Sequence, residues 1–84
     1  MTYAVSLTNQ AEGFLSKLNK PKQIEIRNKI RQLKENPRLG KPLTGRLNGL
    51  RSLRISEYRA VYTIKDIELF ILILKIGHRK NIYL

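Results

Sequence analysis

The chain holds a single imidazole, His78, no cysteine, and six acids: Glu12, Glu25, Glu35, Glu57, Asp66 and Glu68. One histidine without cysteine excludes a zinc site, and it equally excludes an acid–base ribonuclease built on two histidines. A magnesium-dependent nuclease needs carboxylates that converge on the metal. Here three acids fall on or beside expected helices and two in tight turns, so no metal is expected. Ser6, Ser16, Ser52 and Ser56 have no positioned base–acid pair that would make one of them a nucleophile. The five glycines do not match the spacing of a phosphate-binding loop. What the chain has in excess is cation: Lys and Arg number 17, for a net charge of +11. Cations, one imidazole and phenols leave metal-free, cofactor-free phosphodiester chemistry. RNA permits it, because its own 2′-hydroxyl is the nucleophile. The protein need only align that hydroxyl, neutralise charge on the phosphorane and manage two protons.

Those side chains need a rigid frame. Tyr3, Val5 and Leu7 alternate as a short strand. Thr8 stands where a helix N-cap belongs, and Ala11, Leu15 and Leu18 follow at helical spacing, with Phe14 beside them. Pro21 suits the first turn of a second helix, in which Ile26, Ile30 and Leu33 share a stripe. That helix must end near Asn36, because Pro37 disfavours a helical residue before it. Pro37, Gly40, Pro42, Gly45 and Gly49 make 37–49 a loop. Strands follow at Leu50–Ile55, Tyr58–Lys65 and Ile67–Ile76, joined by turns at Ser56-Glu57 and Asp66. Gly77 ends the last strand, and 78–84 is a tail. The expected fold is α+β in the order strand-helix-helix-strand-strand-strand. A helical hairpin packs on one face of a mainly antiparallel four-stranded sheet, as one domain over 1–84. The expected core is Leu15, Leu18, Ile26, Ile30, Leu33, Leu53, Ile55, Tyr62, Leu72 and Leu74.

Covering one sheet face leaves the other open, and strand parity names its residues. Leu53 and Ile55 belong under the helices, so Arg54 is expected on the open face and Arg51 on the covered one. Tyr58, Ala60, Tyr62 and Ile64 are the apolar set of the next strand, so Arg59 joins Arg54. On the last strand Ile71, Ile73, Lys75 and Arg79 share parity, and their charge assigns them to the open face. His78 and Tyr83 lie in the tail nearby. No acid falls between Asn36 and Ser56, whereas Arg38, Lys41, Arg46, Arg51 and Arg54 do. Guanidinium forks fixed on strands match paired phosphate oxygens.

Eighty-four residues allow one modest core. The first residues lack the basic and apolar pattern of a signal peptide. The longest apolar run, Leu69 to Leu74, is far short of a membrane span. A cytoplasmic protein without membrane contact is expected.

Tyr58-Arg59-Ala60-Val61-Tyr62, preceded by Leu53-Arg54-Ile55, resembles the strand signature of the RelE/ParE toxin family. Gly77-His78-Arg79 with Ile82-Tyr83 is similar to that family's C-terminal signature, and Lys41-Pro42-Leu43 to Leu47-Asn48-Gly49-Leu50 resembles its entry into the second long strand. The resemblance covers essentially the whole chain. It implies a toxin of a type II toxin–antitoxin pair: a metal-independent endoribonuclease that cuts mRNA in the ribosomal A site. It implies Arg59 and Arg79 at the scissile phosphate, Tyr83 in base stacking or proton transfer, Arg54 as a further cation and His78 as a base or acid. Lys41, Arg46, Arg51, Lys75 and Lys80 would bind RNA. The implied partners are the ribosome, mRNA and a cognate RelB-like antitoxin, through which the complex would bind operator DNA. One position departs from the pattern. Where such ribonucleases often carry a basic residue two positions before Arg54, this chain has Ser52. Only a β-bulge would re-aim Arg51 to compensate. The alternative the family offers is a ParE-like inhibitor of DNA gyrase without nuclease activity.

Overall fold

The alternation at the N-terminus forms β1 (Ala4–Leu7). The computed structural model describes residues 2–82 and continues with α1 (Asn9–Ser16), α2 (Lys20–Arg31), β2 (Lys41–Pro42), β3 (Arg51–Ile55), β4 (Tyr58–Lys65) and β5 (Phe70–His78). Both helices start on side-chain caps. Thr8 Oγ1 accepts from the Ala11 amide at 3.3 Å and Asn19 Oδ1 from the Lys22 amide at 3.1 Å, satisfying donors that a helix start leaves orphaned. The second helix stops at Arg31, short of the expected Asn36, and tightens into a 3-10 turn over Gln32–Lys34. That turn keeps Leu33 in the core.

The sheet order is β1-β5-β4-β3-β2, with β1 parallel to β5 and every other pair antiparallel. It has five strands rather than the expected four. The extra one, β2, lies inside the segment read as a loop and pairs Lys41 with Ser52 and Pro42 with Arg51. A buried phenol holds it there. Tyr62 donates its hydroxyl to the Pro37 carbonyl (2.7 Å) and accepts from the Gly40 amide (2.9 Å). Gly40 permits this approach: a Cβ there would lie 2.8 Å from both the Ser52 carbonyl oxygen and the Tyr62 hydroxyl.

Both helices cover one face of the sheet. The core joins Ala11, Leu15, Ile26, Ile30 and Leu33 to Leu53, Ile55, Tyr58, Ala60, Tyr62, Ile71, Ile73 and Ile76, and Leu18 packs against its edge. The expectation for the last strand is corrected in part. Leu72 and Leu74 are only half-buried, whereas Ile71 and Ile73 are at 0% exposure. The cause is a β-bulge. Pairing runs Val61↔Lys75 and then Tyr62↔Ile73, so Leu74 is an extra residue on β5. Alternation reverses across it. Ile71, Ile73 and Ile76 therefore all face the helices, while Lys75 stays on the open face as expected.

β1 ends at Leu7, and beyond it β5 finds substitute partners. Thr8 Oγ1 donates to the Leu74 carbonyl at 2.7 Å. The Gln10 side-chain amide brackets Ile76, donating to its carbonyl (3.3 Å) and accepting from its amide (3.1 Å). Gln10 thus imitates one residue of a neighbouring strand. Among the described residues no helix is long and apolar enough to cross a membrane.

Ile73→Ala should cost about 2–5 kcal/mol, the usual penalty for a fully buried aliphatic, and Leu72→Ala clearly less. Urea unfolding with unchanged m-values measures both. Equal costs at the two positions would contradict the bulge.

Candidate functional site

The cross-strand register assembles the open face in rows. Lys41, Ser52, Val61 and Lys75 are successive partners across β2, β3, β4 and β5. With strands about 4.8 Å apart, that row spans roughly 14 Å. The next row is Arg54, Arg59 and Gly77. Lys41, Lys75, Arg54 and Arg59 therefore project from one side of a rigid sheet. Two of these cations, Arg54 and Arg59, are direct cross-strand neighbours. A like-charged pair in that position is destabilising by something like 0.2–1 kcal/mol.

Arg59 is aimed by a hydroxyl. Its Nη1 donates to Ser52 Oγ at 3.2 Å, and Ser52 is 3% exposed. The position that lacks a basic residue thus anchors the guanidinium of the next strand, and Lys41 stands directly across from it. Neither feature was visible from strand parity, because a two-residue strand carries no period and a lone serine carries no signal.

Five of the six acids are held elsewhere. Glu12 pairs with Arg27, Glu25 and Glu57 with Lys22, and Asp66 with Arg38, while Glu35 accepts from Thr2. Tyr3 donates to Asp66 at 2.7 Å and, with Arg38, holds its carboxyl below the ordinary value. Glu57 is lowered too, first by its own backbone amide and then by Lys22. Among the described residues no cluster of His, Asp or Glu is arranged to hold a metal ion.

The remaining candidates sit apart from the two rows. Arg51 is on the covered side as parity expects, donating to the Gly40 carbonyl (3.0 Å) and the Arg38 carbonyl (3.4 Å). The bulge that would have re-aimed it lies in β5 instead. Arg46 is exposed in a 3-10 turn, Gly45–Leu47, in the connection between β2 and β3. His78 pairs with Tyr58, which puts it on the helix side. Its ring packs 5.1 Å from Tyr58 and 6.0 Å from Phe14, centroid to centroid. Arg79 extends the ladder by one bond, its amide donating to the Glu57 carbonyl at 2.9 Å. The chain then turns, with the Asn81 amide on the His78 carbonyl (3.0 Å). His78, Arg79, Lys80, Asn81 and Glu57 line an open cleft of about 410 Å³ at this end. Tyr83 lies outside the described residues.

Residues 5–83 match the family described as ParE toxin of type II toxin–antitoxin system, parDE. The chain is 37% identical over 87 residues to Toxin RelG of Mycobacterium tuberculosis, covering 99% of this chain and 98% of that protein. The toxin–antitoxin complex RelBE2 from Mycobacterium tuberculosis superposes with a TM-score of 0.80 at 34% identity, covering 94% of this chain and 100% of the other. The archaeal RelE–RelB complex from Pyrococcus horikoshii gives a TM-score of 0.78 at 26% identity, over 96% and 99% of the two chains.

Arg54→Gln should leave stability unchanged or raise it, because it removes the like-charged pair. Added NaCl should raise the melting temperature of the wild type more than that of the variant. A variant that melts lower at every salt concentration would mean Arg54 is paired in solution. The lowered Glu57 carboxyl contributes stability that is present above its ordinary value of 4.5 and is lost as pH falls through the lowered folded value. Glu57→Gln should therefore lose less stability than the wild type between neutral pH and acid. Superimposable pH–stability curves would remove Glu57 from that account.

Proposed function

The chain belongs to the RelE/ParE toxin family of type II toxin–antitoxin systems, and from that premise we propose that it is a metal-independent endoribonuclease that cuts mRNA in the ribosomal A site. The observation that carries this reading is the acid-free pair of rows on the open sheet face, with Lys41, Lys75, Arg54 and Arg59 on one side. Phosphate is the ligand that such an array fits. The guanidinium fork of Arg59 is already oriented by Ser52, so little reorganisation is needed when charge develops.

In this reading the substrate's 2′-oxygen attacks the adjacent phosphorus. The bond from phosphorus to the 5′-oxygen breaks, leaving a 2′,3′-cyclic phosphate and a 5′-hydroxyl. The 2′-hydroxyl loses a proton and the leaving oxygen gains one. Arg59 and Arg79 neutralise the equatorial oxygens, and Arg54 adds charge beside them. Lys41, Lys75 and Lys80 hold flanking phosphates, with Arg46 further out. Tyr83 serves in stacking or proton transfer. His78, engaged with Tyr58 and Phe14, acts as a packing residue, so His78→Asn leaves cleavage near wild type. A RelB-like antitoxin of acidic or amphipathic character offsets the +11 charge and links the pair to operator DNA. A gyrase-inhibiting reading draws on one observation, the serine at position 52.

Toeprinting of mRNA on programmed ribosomes tests the proposal. Cleavage within the A-site codon is expected, and Arg59→Ala and Arg79→Ala should each lower kcat by roughly 10²–10³, the scale of losing one transition-state donor. Arg59→Lys should rescue poorly, since one ammonium cannot reproduce the fork. EDTA, with ribosome integrity maintained, should leave cleavage intact. Intact mRNA together with inhibited supercoiling by gyrase would replace this reading with the second.

A further inference from the structure

An apolar side chain is buried on the face that the helices do not cover. Ile82, four residues past the end of β5, is 3% exposed, yet it stands outside the core between helices and sheet. Its contact is Gly77: a Cβ at that glycine would lie 3.1 Å from Ile82 Cδ1 and 4.0 Å from its Cα. Gly77 is the cross-strand partner of Arg59, so the missing side chain leaves a socket beside the arginine that Ser52 anchors. Val61, diagonal to Gly77 on the same face, is 6% exposed. The turn between socket and knob carries Arg79 and Lys80 and is closed by two backbone hydrogen bonds, Arg79 N to Glu57 O (2.9 Å) and Asn81 N to His78 O (3.0 Å).

We propose that Ile82 is a positioning residue: seated on Gly77, it fixes the turn that carries Arg79 at the end of the row formed by Arg54, Arg59 and Gly77. This rests on the nuclease reading for its catalytic consequence, but not for its structural one. Two hydrogen bonds in an exposed turn are a weak tether, because segments with few buried contacts open locally at little cost. A buried aliphatic contact supplies the missing free energy. The glycine leaves that space to Ile82: even a Cβ at position 77 would press on Ile82 Cδ1 at 3.1 Å, and a larger side chain would contest the same volume. Strand conformation itself does not need it, and a β-branched residue suits a strand better.

The test uses the full chain. Ile82→Ala should lower kcat for A-site cleavage by about 10²-fold, the effect of a misplaced catalytic group, with KM and the cooperative unfolding midpoint little changed. Ile82→Leu should recover most of the loss. Gly77→Val should reproduce the defect of Ile82→Ala in a sheet that is no less stable. Added to Arg79→Ala, Ile82→Ala should cost little more, because both act through one group. Full kcat in Ile82→Ala, or additive losses in the double variant, would overturn the proposal. Amide exchange supplies a readout independent of catalysis. In Ile82→Ala the Arg79 and Asn81 amides should lose protection by about tenfold or more while β4 amides keep theirs. Unchanged protection would overturn the proposal even if the wild type proves not to cleave RNA, an outcome that by itself sinks only the parent reading.

Discussion

One extra residue in β5 decides both faces of the sheet. In a regular strand Ile71, Ile73, Lys75 and Gly77 would share a side, and either the isoleucines would face water or Lys75 would enter the core. The bulge at Leu74 removes that conflict. It lets Ile71, Ile73 and Ile76 meet Leu15, Ile26 and Ile30, while Lys75 and Gly77 turn toward Arg59. A bulge leaves backbone groups out of the ladder, and this one is supported from the first helix, where Thr8 and Gln10 bond the Leu74 and Ile76 backbone. Thr8 also caps α1. The same side chain therefore starts the helix and supports the strand irregularity beneath it.

The second constraint is charge. A net +11 on 84 residues repels itself, and the fold answers by distributing its few acids as local clamps. Asp66 ties β1 to the segment before β2 through Tyr3 and Arg38. Glu57 and Glu25 tie the turn after β3 to α2 through Lys22 and Ser56. Each clamp joins elements distant in sequence, and none of these acids is in the two cationic rows. The two rows are left without an acidic residue of their own. The adjacent Arg54 and Arg59 are held at a cost in stability.

The helices, the three long strands and the sidedness of Arg54 and Arg59 were legible in the sequence, because caps, prolines and alternating apolar residues report local geometry. Lys75 was assigned to the correct face by a wrong route. Its charge set the face, and regular alternation then carried Ile71 and Ile73 with it, where the bulge separates them. Nothing in the run from Ile71 to Ile76 marks Leu74 as the inserted residue, since Ile71 to Leu74 are all apolar and the pairing that reveals the bulge lies on β4. β2 was equally hidden. Two residues give no period, and what fixes them is the Tyr62 hydroxyl reaching Pro37 and Gly40 from the core. His78 was expected in a tail beyond Gly77, whereas β5 runs to His78 and register sets it opposite Tyr58.

Ser52 shows how local chemistry and register combine. Read along β3, it is a lost cation. Across the sheet it lies between Lys41 and Val61, with its hydroxyl on Arg59. The row therefore keeps its positive charge one strand further out, and Arg59 gains an anchor that a lysine at position 52 would repel. The two kinds of cation are not equivalent. Arg59 is a planar fork on the long paired strand β4, whereas Lys41 is a mobile point charge at the edge, on a strand of two residues. The edge ammonium adds attraction that is broad in direction and sensitive to salt. The interior guanidinium adds orientation. The sheet therefore combines one oriented fork, Arg59 on Ser52, with an exposed ammonium, Lys41, at its edge.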